Sequence, residues 1–175
     1  MGIRWYVAYP LSTRHVEELM AERGVEVDHS TINRWVIKYS PPLEEAFHRR
    51  KRPVWVSWRM DETYLTMKGE WRYLYRAVDK HGQTIDFLLA EHRDNEEYGP
   101  HSIIRQVKYL NTMVEQDHRG VKRVTRPMLG FKSFDAAQDT LVGIELMHMS
   151  KKRQLMVEAG DEGLTAAEQF YSLAA

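Results

Sequence analysis

Three extended runs in the middle of the chain, separated by turn residues, restrict most tightly how it can fold. Residues 54–64, 71–78 and 84–89 are rich in aromatic and β-branched side chains, which suit a pleated, half-buried surface. Lys68-Gly69-Glu70 and Asp79-Lys80-His81-Gly82 supply the turns, so the runs predict a three-stranded antiparallel meander. One residue is out of character. Asp61 lies within the first strand, where Asp is disfavoured, and its presence asks for a reason. Asp79 asks for none, because Asp and Gly are turn formers.

Ahead of the meander, residues 11–39 read as two helices with a short turn. Ser12 is the expected N-cap of the first, and Val16, Leu19 and Met20 fall at i, i+3, i+4 on one apolar face. Gly24 stands where that helix should stop. Asp28 or Ser30 caps the second helix, whose buried face is Ile32, Trp35 and Val36. His29, Thr31, Asn33, Arg34 and Lys38 point outward, which is the arrangement of a helix-turn-helix with its second helix in the major groove. Asn and Arg suit adenine and guanine edges, and Lys38 suits phosphate. The alternative is a plain helical hairpin with a solvated face. Pro41-Pro42 is expected to end the second helix, since neither proline donates a backbone hydrogen bond. The basic run His48-Arg49-Arg50-Lys51-Arg52 then forms a linker up to Pro53.

Net charge is zero over 175 residues, but it is distributed in blocks. Residues 1–60 and 100–132 are net basic, whereas 61–99 and 133–175 are net acidic. Such blocks can bind phosphate locally or serve as ordinary solvated surface. The absence of cysteine excludes disulfide scaffolds, thiolate catalysis and Cys-based zinc sites. No apolar run approaches the roughly 20 residues that span a bilayer, and residues 1–10 do not read as a signal peptide. The expected compartment is the cytoplasm, with no membrane partner.

Past the meander, Ile103–Val107 reads as one more strand, and the chain turns helical after Asn111. Glu115, Arg119 and Lys122 lie at i, i+4, i+7 on one face of that helix. A carboxylate followed by cations can hold a metal ion and grip a neighbouring phosphate; the alternative is a surface ion-pair ladder. His118 is expected at the surface or on a phosphate, because no second His stands at metal-site spacing. Phe131, Phe134, Leu141, Ile144, Leu146 and Met147 predict a further helix covering the sheet, followed by an acidic, Ala-rich tail.

Several stretches together resemble a known family. Leu11-Ser12-Thr13-Arg14, Arg59-Met60-Asp61-Glu62-Thr63-Tyr64, residues 71–79, Gln106–Asn111, Val114-Glu115-Gln116-Asp117-His118-Arg119 and Leu129–Phe134 resemble short bacterial insertion-sequence transposases of the DDE superfamily. The likeness runs from Arg4 to about Arg153. It implies an RNase H-like catalytic domain behind a helix-turn-helix, and a replicative, cointegrate-forming route. It also implies that Asp61 is the first catalytic aspartate, Glu115 the catalytic glutamate, and Lys122 the basic residue that touches terminal DNA. Such enzymes hold Mg²⁺, with Mn²⁺ as a substitute, between three carboxylates. One ion activates water or a 3′-hydroxyl and the other stabilises the leaving oxygen. Implied partners are the element's terminal inverted repeats, target DNA and a second copy in a homodimer.

The chain departs from the family at the second aspartate, which lies on a strand reached by a helical crossover. A strand-helix-strand unit needs roughly 30 residues or more, yet only Glu91 to Ser102 separate Ala90 from Ile103. We read an internal deletion joined near Asp94–Asn95, with Asp86 and Asp94 as weak candidates for a replacement. Without its neighbour, the Asp61 strand becomes an exposed edge unless Ile103–Val107 pairs with it.

The expectation is therefore an α/β (α+β) chain organised as 1–40 helix-turn-helix, 41–53 basic linker, 54–150 truncated RNase H-like catalytic domain and 151–175 tail. Its expected function is that of an insertion-sequence transposase impaired by loss of the second catalytic Asp. The alternatives are a catalytically dead DNA-binding remnant that competes for element ends, and a helix-turn-helix regulator with an unrelated sensor domain.

Overall fold

Two β-turns and four helix caps set most of the local structure. The computed structural model describes residues 1–92, 112–128, 130–156 and 163–174. Among these, α1 (Gly2–Ala8), α2 (Thr13–Ala21) and α3 (His29–Arg49) precede β1 (Trp58–Met67), β2 (Glu70–Asp79) and β3 (Thr84–Ala90). They are followed by α4 (Thr112–Thr125), α5 (Phe134–Lys151) and α6 (Ala166–Ser172). The chain forms two compact units, one of Met1–Arg52 with Arg123–Ala175 and one of Pro53–Lys122. No described helix is long and apolar enough to cross a membrane.

In the helical unit, Ser12 accepts from the His15 backbone N–H at the start of α2, and Asp28 accepts from Ser30 at the start of α3. Both satisfy helix-end donors that would otherwise lack partners. Val16, Met20, Ile32 and Val36 are buried. α5, which the sequence suggests as the sheet's cover, finds its partners among α1, α3 and α6. A side chain at Gly143 of α5 would place its Cβ 2.6 Å from Ser40 Oγ and 2.8 Å from Val7 Cγ1, so glycine is what lets α5 approach α3 and α1. At the end of α5, Lys151 Nζ donates to the Ala8 carbonyl at 3.0 Å, a cation on the free carbonyls at the end of α1. The 151–175 segment, expected as a tail, makes backbone bonds near its start, Arg52 N–H to Gln154 O and Met156 N–H to Arg50 O, each 2.7 Å. Beyond these, α6 opens with a capping box formed by Thr165 and Glu168.

The expected helix end at Pro41-Pro42 is wrong. α3 continues through both prolines to Arg49, and residues 43–49 are helix rather than linker. Proline's fixed φ is itself helical, and each interior proline costs about 3 kcal/mol through a lost hydrogen bond and a clash one turn back. Tertiary burial offsets that cost here. Val36, Ser40 and Phe47, on both sides of the prolines, are buried along a helix whose main partner is α5.

In the sheet unit the strand order is β1-β2-β3, antiparallel throughout. Lys68 and Gly69 both have positive φ, 50° and 83°, the two-residue turn whose twist matches a hairpin. β1 begins at Trp58 rather than at residue 54. The Trp55 N–H donates to Asp79 Oδ2 at 3.2 Å, and Lys80 N–H to Ser57 O at 3.1 Å, so residues 54–57 fold over the β2–β3 turn instead of extending the ladder. Asp79 Oδ1 also accepts from His81 and Gln83 at 2.8 and 2.9 Å. Asp79 is fully buried, the hub of this corner rather than a simple turn former.

Candidate active site

Asp61 occupies the middle of β1, opposite Arg76 of β2. Strand alternation puts Asp61 on the same face as Thr63, Leu65 and Met67, all buried. Leu74, Arg76 and Val78 continue that face on β2 and are buried as well. An arginine at 0% exposure needs a countercharge, and α4 supplies one. Arg76 Nη1 stands 3.5 Å from Asp117 Oδ2. Burial pulls the Arg76 guanidinium down to about 10, with Asp117 acting against the shift, so it stays charged at neutral pH.

The inner stripe of α4 is Val114, Asp117, His118 and Val121, at i, i+3, i+4, i+7, and all four are buried. Its two middle positions are polar because two polar groups of the sheet meet them. Asp117 meets Arg76, and His118 Nε2 lies 3.9 Å from Asp61 Oδ2. This corrects the expected surface position of His118, which is only 5% exposed. Burial, then the charges of Arg76 and Lys122, push its pKa down to about 4 against a small opposing effect of Asp117. The imidazole is neutral at physiological pH, and neither ring nitrogen has a hydrogen-bond partner.

Glu115, Arg119 and Lys122 lie on the exposed side of the same helix. Glu115 is nevertheless close enough to act on Asp61. The Asp61 carboxyl is half-buried and its pKa is raised, by desolvation first and then by the negative charges of Glu115 and Glu62, against a backbone hydrogen bond from Glu62. Asp61, Glu115 and the buried His118 imidazole are oxygen and nitrogen donors of the kinds divalent cations take, although among the described residues the three such donors whose atoms already lie within 4.8 Å of one another are Glu17, Asp28 and His29 of the helical unit. Asp86 does not join it. It is exposed and pairs with Ala77, one step along from Arg76, so it leaves by the other face. Asp94 and the strand expected at Ile103–Val107 lie outside the described residues.

The residues expected to read DNA sit on the first three turns of α3, in the helical unit. Arg34 and Lys38 are exposed and Thr31 and Asn33 half-exposed. Arg34 Nη2 donates to Thr31 Oγ1 at 2.8 Å. His29 turns back toward the cap, its Nδ1 3.1 Å from Glu17 and 3.3 Å from Asp28. Sequence reasoning missed Arg76, Asp117 and His118. The signal was present, since Arg76 alternates with Leu74 and Val78, and Asp117 and His118 fall between Val114 and Val121 at helical spacing.

The described chain is mixed α/β, with Asp61 on a strand and Glu115 on a later helix. A family profile described as a DDE domain, of the IS240 transposase type, matches residues 55–100 and 99–154. The transposase for insertion sequence-like element IS431mec of Staphylococcus aureus is 35% identical over 191 aligned positions, covering 87% of this chain and 84% of that protein. The transposase for insertion sequence element IS257 in transposon Tn4003, also from Staphylococcus aureus, is 34% identical with the same coverage. Uncharacterized protein pYV0051 of Yersinia pseudotuberculosis is 42% identical over 64 positions, 32% of this chain and 60% of that protein. No solved structure matches the chain significantly. The chain belongs to the DDE-domain family of insertion-sequence transposases.

The match also carries an interruption. Its two stretches meet at residues 99–100. The 87% of this chain that aligns is about 152 of 175 residues, so about 39 of the 191 aligned positions have no counterpart here.

Proposed function

We propose that this chain acts on the terminal DNA of its insertion sequence, as a transposase whose strand-cutting step is impaired by an internal deletion. The observation that carries the reading is the coupling of Asp61 to Glu115 across β1 and α4. On this reading two of the family's three carboxylates would share a centre, and the interruption near residue 99 would fall where the second aspartate is expected. Asp61 and Glu115 would hold Mg²⁺, or Mn²⁺ in its place, through carboxylate oxygens. The bound cation supplies Lewis-acid chemistry for phosphodiester cleavage and strand transfer. Arg119 and Lys122, exposed one and two turns beyond Glu115, would grip the backbone phosphates of the same DNA. Asn33, Arg34 and Lys38 would read or anchor DNA from α3, with Thr31 holding the Arg34 guanidinium and His29 contributing from the helix start. A homodimer bridging two ends suits this activity.

A plasmid carrying the element's terminal inverted repeats tests the reading. The expected result is salt-sensitive binding to those ends, together with nicking in Mg²⁺ or Mn²⁺ far below that of a full-length relative and absent in Asp61→Asn and Glu115→Gln. Lack of binding at any salt would overturn the DNA assignment. Strand transfer at the full-length relative's rate would overturn the impairment. A DNA-binding remnant without nuclease chemistry is the second reading, favoured by the missing aspartate, and intact binding with no detectable nicking by the folded protein would establish it.

A further inference from the structure

We propose that His118 is a third, nitrogen ligand of the divalent-cation site formed with Asp61 and Glu115, so that this chain's site favours Mn²⁺ and Co²⁺ over Mg²⁺. The inference rests on the proposed metal-binding role of Asp61 and Glu115 and adds a ligand to it. His118 is buried, and neither ring nitrogen has a hydrogen-bond partner. A buried polar group left so is rare and marks a site for an ion or water. Its Nε2 lies 3.9 Å from Asp61 Oδ2, too long for a hydrogen bond. Two ligand atoms each about 2.1 Å from one cation lie between about 3 Å and about 4.2 Å apart, depending on the angle they subtend. The observed separation falls inside that interval.

The neighbourhood is compatible with a cation. Asp117 supplies the buried countercharge to Arg76 from α4, so the Arg76 charge is answered within the sheet–helix contact rather than by Asp61. His118 follows Glu115 by three positions on α4, within one helix turn, and the exposed Glu115 side chain would turn inward to complete the site. A neutral imidazole suits Mn²⁺, Co²⁺ and Zn²⁺ far better than Mg²⁺, which takes oxygen ligands in a strict octahedron. With the second aspartate missing, a nitrogen ligand would restore a three-ligand site at the cost of its usual metal preference.

The test is metal binding by the full chain without DNA. Pulsed electron paramagnetic resonance of bound Mn²⁺ is expected to show coupling to an imidazole nitrogen. Calorimetry is expected to give Mn²⁺ an affinity at least about tenfold above that of Mg²⁺. In His118→Asn the nitrogen coupling disappears and Mn²⁺ affinity falls about tenfold, a loss of the size expected for a metal-site residue, while Mg²⁺ affinity is unchanged. In His118→Asp, which offers oxygen instead, the preference moves toward Mg²⁺. Bound Mn²⁺ without nitrogen coupling in the unmodified protein overturns the proposal whether or not the variants fold. Binding lost in Asp61→Asn but equal in His118→Asn and the unmodified chain removes His118 alone. Binding unchanged in both Asp61→Asn and Glu115→Gln removes the underlying site as well.

Discussion

Arg76 of β2 and Asp117 of α4 form a buried ion pair, Nη1 to Oδ2 at 3.5 Å, beneath the helix that carries Glu115. It ties α4, which carries Glu115, to the sheet face that bears Asp61, so it is expected to position the two candidate metal ligands. Arg76→Ala is expected to destabilise the sheet unit by about 3–5 kcal/mol, because the buried Asp117 loses its arginine countercharge. Combining Arg76→Met with Asp117→Leu should recover most of that loss while still weakening divalent-cation binding. Chemical denaturation of the single and double variants, read beside metal titrations, separates stability from positioning.

Asp61 is held in an unfavourable charge state. Its raised folded pKa means that the stability it contributes is present at low pH and lost as pH rises through that value. In metal-free protein at neutral pH, Asp61→Asn should therefore be at least as stable as the unmodified chain. Adding Mg²⁺ or Mn²⁺ should raise the melting temperature of the unmodified protein and leave Asp61→Asn unmoved. A drop in metal-free stability on Asp61→Asn would contradict the electrostatic account.

Asp79 has the opposite sign. Burial alone would raise its pKa, but the backbone N–H groups of Gln83, Trp55 and His81 outweigh it and the folded value is lowered. Its contribution is then full above the ordinary carboxylate value of about 3.9 and is lost as pH falls through the lowered folded value. Asp79→Asn should cost about 1–3 kcal/mol at neutral pH and flatten the acid limb of stability. Denaturation midpoints followed from neutral pH down into the acid range would show it.

Gly143→Ala should destabilise the helical unit by about 1–3 kcal/mol through overpacking. A new Cβ meets Ser40 Oγ and Val7 Cγ1 at 2.6 and 2.8 Å. Thermal melting decides the matter, and an unchanged midpoint would mean that α3 and α5 can separate freely.

Arg119→Ala with Lys122→Ala should leave stability within about 0.5 kcal/mol, since both residues are exposed surface. Binding to DNA should weaken whatever its sequence, and the dependence of log affinity on log salt should become shallower by roughly one for each cation removed. Binding isotherms at several salt concentrations test this directly.

How much of this was legible beforehand divides along physical lines. The hairpin turn at Lys68-Gly69, the caps Ser12 and Asp28, the three strands and the helix around Glu115 follow from interactions that span only a few residues. Turn conformation, capping and side-chain alternation are short-range, so the sequence alone determined them. It also carried the family resemblance and placed Asp61 and Glu115 as the pair to watch. The tertiary structure decided the rest. α3 runs through Pro41-Pro42 because α5, about a hundred residues away, buries its far end. His118 turns inward because α4 must present its Val114–Val121 stripe to the sheet, and Arg76 is tolerated in the core because Asp117, far along the chain, answers its charge. Such outcomes depend on which distant surfaces meet, and local propensity has no access to the desolvation and charge balance that decide them.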